Sequence, residues 1–336
     1  MDKRELGPLG PVSRLTLGGG GLGQIWGETS REEAVATVRL AADLGITLYD
    51  MAPLYGRGEA ETVMGEAFEG RLPDDAKVTT KCMIGGDHAG EVEERLTRSL
   101  ERSLATLKLE SVDLFILHSN IHPDGYIFER DADSQGRWAV PWSVYETEVV
   151  PAMERLVSRG LAKAWGITGT GLPISIMQAM RGEPGPAVVQ AVANLMDSPG
   201  GMRRFEEPAE PRNIIRTAKN NEMGVMGIRA VQAGALTAAI DRTLPADHPE
   251  MLDYDKAAPF RALCATWGED PALIAHRYAL GIEGVDTLVL GVDSRRRPTA
   301  VPSGLARKAL HMTGMYASQN SCCRSIISSI TASQSS

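Results

Sequence analysis

The feature that most constrains this chain is a regular alternation of short apolar runs with amphipathic helical patterns along nearly its whole length. Such alternation is typical of repeated strand–helix units that build a parallel sheet. The runs that qualify as strands are RLTL (14–17), ITLYD (46–50), KVTTK (77–81), DLFILH (113–118), AKAWGIT (162–168), AVVQAV (187–192), GVMGIR (224–229) and DTLVLG (286–291). Eight such units over roughly 250 to 300 residues favour a closed (β/α)8 TIM barrel over an open doubly wound sheet.

Helix signals fall between these strands. Ser30 and Glu33 form a capping box, and Asp270 caps a helix that begins at Pro271. An apolar stripe marks another helix, at Val92, Leu96, Leu100, Leu104 and Leu107. Weaker patterns occur at PISIMQAM and RNIIRTAKNN. No interdomain linker is visible, so we predict a single-domain barrel over residues 1–297, with a short N-terminal hairpin before Arg14.

The stretch LTLGGGGLG contains a formal dinucleotide fingerprint, Gly18-x-Gly20-x-x-Gly23. In a Rossmann unit the helix opens at the last glycine, whereas here the helix cap is Ser30, seven residues beyond Gly23. The glycine pattern is therefore not interpreted as the phosphate-binding turn of a Rossmann unit. Two interpretations stay open, a loop that lets a ligand approach the backbone closely and a merely flexible turn.

Charge and composition limit the partners. The formal net charge is −8, and no block of basic residues of the kind that tracks a phosphate backbone occurs. Nucleic acid is therefore not an expected partner, and a small molecule is. No apolar run follows the N-terminal charges and no 18 uninterrupted apolar residues occur, so we expect neither signal peptide nor membrane span, and a cytoplasmic protein. The cysteines, Cys82, Cys264, Cys322 and Cys323, lack metal-ligand spacing and are expected to be reduced thiols.

Polar residues at the strand ends carry the chemistry, because active sites of such barrels lie at the carboxyl ends of the strands. Asp50 ends one strand, Tyr55 follows it in the loop, Lys81 ends the next strand and His118 the third. Singly, each has an ordinary explanation: a turn cap, loop packing, a solvated cation, a core histidine. Together they suit proton donation to a carbonyl oxygen. An adjacent ammonium would lower the pKa of Tyr55 from about 10, and Asp50 would keep Lys81 protonated.

The segments YDMAPLYGRGEAE, KVTTKC and VDLFILHSN resemble the three catalytic motifs of the aldo-keto reductase superfamily, in order and spacing. The resemblance extends from about Arg4 to about Ser294. It implies a barrel that binds NADP(H), with NAD(H) as an alternative, and reduces an aldehyde or ketone or runs in reverse. By this resemblance Tyr55 is the general acid, Lys81 and Asp50 its tuning pair, and His118 orients the substrate.

The resemblance also implies cofactor contacts. It places Gly19 and Gly20 near the nicotinamide and Gln190 on its carboxamide. The family's usual Ser-Asn is Thr168-Gly169 here, which removes one amide contact, and Arg229 aligns with an aromatic residue that stacks on the nicotinamide. A guanidinium can also stack on a ring. The other expected contacts are Asp50, Thr168, Gly234, Leu236, Ser294 and Arg295.

The last 39 residues, 298–336, differ in composition from the rest. They contain no Asp or Glu and nine serines, which predicts a Ser-rich tail that is a candidate for disorder and suggests a foreign origin such as a shifted reading frame.

The long connection 119–148 contains Tyr126, Phe128, Trp138 and Trp142. A lid over an apolar substrate and ordinary surface packing both explain these rings. Trp26 joins Tyr55 and His118 in the expected substrate pocket.

Two other functions compete with a reductase. One is a cofactor-binding regulatory subunit with little turnover, because the superfamily includes such barrels. The other is a metal-dependent hydrolase using His88, His118 and His122. No two of these histidines share a strand in ligand geometry, so we expect no metal.

Overall fold

The first structural question is whether the apolar runs close into a barrel. In a computed structural model that describes residues 1–24 and 29–291, eight parallel strands form a closed barrel. The described residues form twelve strands, of which β1 and β2, and β7 and β8, make two separate two-stranded sheets. The strands are β1 (Lys3–Glu5), β2 (Pro11–Ser13), β3 (Leu15–Gly18), β4 (Leu48–Asp50), β5 (Lys77–Cys82), β6 (Val112–Leu117), β7 (Asn120–His122), β8 (Ala139–Pro141), β9 (Ala162–Gly169), β10 (Val188–Val192), β11 (Gly224–Ile228) and β12 (Thr287–Gly291).

The barrel follows chain order, from β3 through β4, β5, β6, β9, β10 and β11 to β12, and β12 pairs back onto β3 with Leu288 opposite Leu15. Each barrel strand coincides with one of the eight apolar runs, and no boundary differs by more than two residues. The prediction of a (β/α)8 barrel is confirmed.

Helices surround the barrel in the described part of the chain. They are α1 (Gly19–Leu22), α2 (Arg31–Asp43), α3 (Glu59–Phe68), α4 (Val92–Leu107), α5 (Gln135–Trp138), α6 (Trp142–Val144), α7 (Val150–Ser158), α8 (Pro173–Ala179), α9 (Pro211–Asn220), α10 (Pro249–Lys256), α11 (Ala258–Trp267) and α12 (Pro271–Gly281). Short 3-10 helices cover Gly7–Leu9, Gly86–His88, Ala132–Ser134, Gly200–Met202 and Gln232–Gly234, and a π-helical turn covers Tyr145–Val149. Among the described helices, none combines the length and apolar character needed to cross a bilayer.

The expected caps are present. The Ser30 hydroxyl accepts a hydrogen bond from the Glu33 backbone N–H at 3.2 Å, and the Asp270 carboxylate accepts one from the Ala272 backbone N–H at 2.9 Å. All five residues of the predicted stripe on α4 are buried. These are local signals, and the structure follows them.

The N-terminal hairpin closes the barrel floor. β1 and β2 pair antiparallel, and the turn between them carries Leu6, which is fully buried. Leu6 packs inside the barrel with five side chains from four strands: Leu48, Leu114, Ile116, Val188 and Met226. Side chains alternate along a strand, so these residues identify the inner face of the barrel. The residues two positions further along the same strands then face the barrel mouth.

The long connection after β6 packs on itself. Phe128 and Trp138 are buried in a small cluster with Leu172 and Phe205, and the Trp142 ring lies tilted against the Tyr145 ring, with 5.3 Å between ring centroids. Of the two interpretations of these aromatic residues, packing accounts for Phe128 and Trp138. The predicted tail, 298–336, lies outside the described residues.

Candidate active site

The site begins at the carboxyl end of β4. Leu48 faces the barrel interior, and alternation turns Asp50 to the same face, while Tyr49 points outward against Phe68. The chain then forms a short loop that carries Tyr55 before α3 begins. Asp50 is therefore buried in the barrel mouth, with Tyr55 above it.

Lys81 lies on the neighbouring strand, β5, and its side chain is fully buried. Its ammonium lies 2.8 Å from Asp50 Oδ1, and donates to the Met51 carbonyl at 2.8 Å and to the Tyr55 hydroxyl at 3.1 Å. An ammonium has three donors, and these three oxygens match them. The ammonium is thus fixed in direct contact with the phenol.

Asp50 is held by more than Lys81. Asp50 Oδ1 also accepts hydrogen bonds from the Thr79 hydroxyl at 2.8 Å and from Gln190 Nε2 at 2.7 Å. Gln190 comes from β10, across the barrel. Thr79 was missed by the sequence analysis, although alternation along β5 places it on the same face as Lys81.

The electrostatics correct one expectation. Burial by itself lowers the pKa of Lys81, but the Asp50 carboxylate and the Tyr55 hydroxyl outweigh burial, so that this pKa lies above its usual value. Burial raises the pKa of Tyr55, and the Lys81 ammonium opposes this shift without cancelling it. The expectation of a lowered pKa for Tyr55 was wrong for the protein without bound ligands. The free-energy cost of desolvating the phenolate exceeds the gain from its attraction to the Lys81 ammonium. Tyr55 is therefore a protonated phenol at neutral pH.

His118 completes the group. It follows β6, and its ring meets the Tyr55 ring edge to face, with centroids 6.1 Å apart. Burial and, secondarily, the Lys81 ammonium lower the pKa of His118 to about 3. The imidazole is neutral at physiological pH and can donate one hydrogen bond without bringing a charge into the mouth.

The pH profile of kcat/KM tests these protonation states. For reduction of a neutral aldehyde we expect no inflection near the ordinary histidine pKa of about 6.5, and a falling limb only above about pH 10, where Tyr55 loses its proton. The measurement is the initial rate from acid to strongly alkaline pH at saturating NADPH. His118→Gln should lower the rate without changing the shape. An inflection between about pH 6 and 7 that disappears in His118→Gln would contradict a neutral His118.

Other residues with expected cofactor roles lie around this centre. Gln190 and Thr168 are neighbours in register on β10 and β9, and both are buried. Gly19 lies beside Asp50 and Tyr55, and Gly20 follows it in α1. Gly234 adopts a left-handed backbone conformation, with φ of 96°.

Leu236 is fully buried in a cluster with Phe260 and Cys264. Its side chain therefore serves packing.

The Arg229 guanidinium is held by two side chains. Its Nη2 donates to Glu250 Oε1 at 2.9 Å and its Nε to Gln232 Oε1 at 2.9 Å. The residue before it, Ile228, follows the inward-facing Met226 by two positions, so alternation assigns Ile228 to the inner face at the mouth. The sequence analysis missed Ile228, which the alternation along GVMGI could have indicated.

Three expected site residues, Trp26, Ser294 and Arg295, lie outside the described residues. Within residues 1–24 and 29–291, no group of three or more His, Cys, Asp and Glu side chains could hold a metal ion.

Comparison with known proteins gives one consistent result. The model of the Aldo/keto reductase family matches residues 14–302. L-Galactose dehydrogenase of Arabidopsis thaliana is 27% identical over 300 residues, which cover 88% of this chain and 86% of that protein. Among solved structures, glycerol dehydrogenase AKR11B4 from Gluconobacter oxydans superposes with a TM-score of 0.62 at 22% identity, covering 95% of this chain and 97% of that one. An aldo/keto reductase from Klebsiella pneumoniae, in complex with NADP and acetate, gives 0.61 at 20% identity, covering 93% and 94%.

Proposed function

Because the chain belongs to the aldo/keto reductase family, we propose that it is an NADP(H)-dependent oxidoreductase that reduces aldehyde or ketone carbonyls to alcohols, or catalyses the reverse reaction. One observation carries the proposal: the Lys81 ammonium lies between the Asp50 carboxylate and the Tyr55 hydroxyl, at 2.8 and 3.1 Å. In this arrangement the Tyr55 phenol can donate a proton at the mouth of the barrel, because the Lys81 ammonium stabilises the phenolate that remains.

The donor set at the mouth fits a nicotinamide cofactor. Gln190 and Thr168 place an amide and a hydroxyl side by side, the complement of a carboxamide, next to the Lys81–Tyr55 pair. These two residues would hold the carboxamide, and Ile228 would offer an apolar surface to the ring. The bound cofactor would supply or accept the hydride. The NADP complex of the Klebsiella pneumoniae relative supports this choice of cofactor.

Tyr55 would act as the general acid. Its hydroxyl donates a proton to the carbonyl oxygen as that oxygen gains negative charge, and the resulting phenolate remains beside Lys81. Asp50 keeps the ammonium charged and fixed, and Thr79 and Gln190 hold Asp50 in turn. The charge pair therefore matters most after proton transfer, when an isolated buried phenolate would be costly.

His118 would orient the substrate. Its neutral imidazole, next to the Tyr55 ring, can donate a hydrogen bond to the same carbonyl oxygen. Two donors on one oxygen define the direction of the carbonyl group. They also stabilise the charge that develops on that oxygen.

The loops around the mouth indicate the character of the substrate. Leu54, directly before Tyr55, is 52% exposed, and Met83, two residues after Lys81, is 38% exposed. Ile127, in the connection after His118, is 68% exposed. Because three successive loops expose large apolar side chains, the preferred carbonyl compound has an apolar portion.

The test is carbonyl-dependent oxidation of NADPH over a panel of aldehydes and ketones, with fluorescence titration of NADPH and NADH in parallel. We expect turnover, with kcat/KM higher for medium-chain or aromatic aldehydes than for sugars. NADPH binding without turnover on the whole panel would instead favour a regulatory subunit. A preference for sugars would overturn the apolar substrate class and leave the reductase proposal standing.

A further inference from the structure

The glycine-rich turn Gly19–Gly23, α1 and the residue after it, packs directly against the segment that carries Tyr55. A Cβ atom on Gly23 would lie 2.6 Å from the Tyr55 carbonyl oxygen and 2.8 Å from the Gly56 nitrogen. A Cβ on Gly56 would lie 2.8 Å from Gly23 Cα. Both clashes are with backbone atoms, which no side-chain rotation can relieve. The two loops therefore touch backbone to backbone, at a distance that only glycine permits.

The start of the turn touches the tyrosine side chain itself. A Cβ on Gly19 would lie 3.1 Å from Tyr55 Cδ2, 3.1 Å from the Asp50 carbonyl oxygen and 3.0 Å from Met51 Sδ. These separations are tighter than ordinary van der Waals contact. Gly19 thus leaves just enough room for the Tyr55 ring in its present position.

Lys81 is the other group that fixes this ring. Its ammonium lies 4.5 Å from the ring centroid and 3.1 Å from the hydroxyl. The ring is therefore located by Gly19, its backbone by Gly23, and its hydroxyl by Lys81. A displacement of the loop by a fraction of an ångström would change the distance between the hydroxyl and the ammonium.

We propose that the glycine-rich turn is a positioning element for Tyr55, in which Gly23 sets the height of the tyrosine backbone and Gly19 the tilt of its ring. This inference rests on the proposed role of Tyr55 as proton donor. It gives the glycines a task that the cofactor-approach and flexible-turn interpretations do not contain.

Gly23→Ala and Gly19→Ala test the proposal. Misplacement of a reacting group by about 1 Å can cost about 100-fold in rate. We therefore expect Gly23→Ala to lower kcat about 10- to 100-fold and Gly19→Ala less, because the Met51 side chain can move aside. NADPH affinity should change less than about threefold in Gly23→Ala. The matched control is Gly281→Ala, in α12, where a new Cβ would meet nothing within 4 Å.

A second readout separates positioning from a general loss of structure. An ultraviolet difference titration, corrected with Tyr55→Phe, measures the pKa of the Tyr55 phenol without turnover. Weaker contact with Lys81 should raise that pKa in both glycine variants and leave it unchanged in Gly281→Ala. In a Tyr55→Phe background, Gly23→Ala should have no further effect on kcat. If Gly23→Ala fails to fold, Gly19→Ala carries both measurements.

The possible failures are distinguishable. If both variants keep the wild-type kcat and Tyr55 pKa, or weaken NADPH binding tenfold with that pKa unchanged, the positioning proposal is overturned and the glycines serve the cofactor or the fold. If Tyr55→Phe keeps the wild-type rate, the proposed function of Tyr55 fails, whatever the glycine variants show.

Discussion

Tyr55→Phe is expected to lower kcat for carbonyl reduction about 100- to 10,000-fold, the usual contribution of a positioned general acid. The substitution removes one oxygen atom and keeps the ring, so the packing against Gly19 and the cation over the ring survive. Lys81 retains the oxygens of Asp50 and Met51 as partners. Because the lost atom acts in proton transfer, the Kd for NADPH should stay within about threefold of wild type. Stopped-flow reduction and fluorescence titration measure the two quantities.

Tyr49→Phe is the matched control. Tyr49 is next to Asp50 on β4, is fully buried, and donates its hydroxyl to the Ile46 carbonyl at 3.1 Å, but it points out of the barrel. Its loss should cost about 0.5–1.5 kcal/mol of stability and little rate. A Tyr55→Phe protein that reduces aldehydes at the wild-type rate would exclude Tyr55 as the proton donor.

Lys81→Met is expected to damage both activity and stability. The substitution leaves the buried Asp50 carboxylate without its counter-charge, which typically costs about 3–5 kcal/mol in the free energy of unfolding. It also removes both the charge and the hydrogen bond by which Lys81 lowers the pKa of Tyr55, so the phenolate formed by proton transfer becomes harder to reach. We expect kcat to fall by at least about 100-fold. Guanidinium unfolding and NADPH oxidation are the measurements.

Two further variants interpret the Lys81→Met result. The double variant Asp50→Asn/Lys81→Met removes both charges, and should recover part of the stability but none of the rate. Lys3→Met breaks a surface pair, because Lys3 and Asp75 are 40% and 56% exposed and lie 2.8 Å apart, and should change stability by less than about 1 kcal/mol. Wild-type turnover in Lys81→Met would contradict the role given to the ammonium.

The strand and helix pattern was accessible from the sequence because it depends on neighbours two or about four residues apart. The Ser30 cap and the stripe on α4 are of this kind, and so is the placement of Asp50, Lys81 and His118 at the ends of successive strands. Register between adjacent strands then brings such residues to one rim. The residues of the candidate site could therefore be named, while their roles stay predictions.

The hydrogen-bond partners and the pKa shifts of the site residues were decided by the tertiary structure. They depend on groups that are distant in the chain and on how deeply each group is buried. Gln190 donates a hydrogen bond to Asp50, which is 140 residues away in the chain, and the Arg229 guanidinium donates one to Glu250. The pKa of Tyr55 is raised, whereas the sequence predicted that it is lowered. A sequence shows which charge is adjacent, but it does not show how far water is excluded from the site. Sequence alone thus determined which groups meet at the barrel mouth, and only the closed barrel determined their partners, their protonation and the glycine packing against Tyr55.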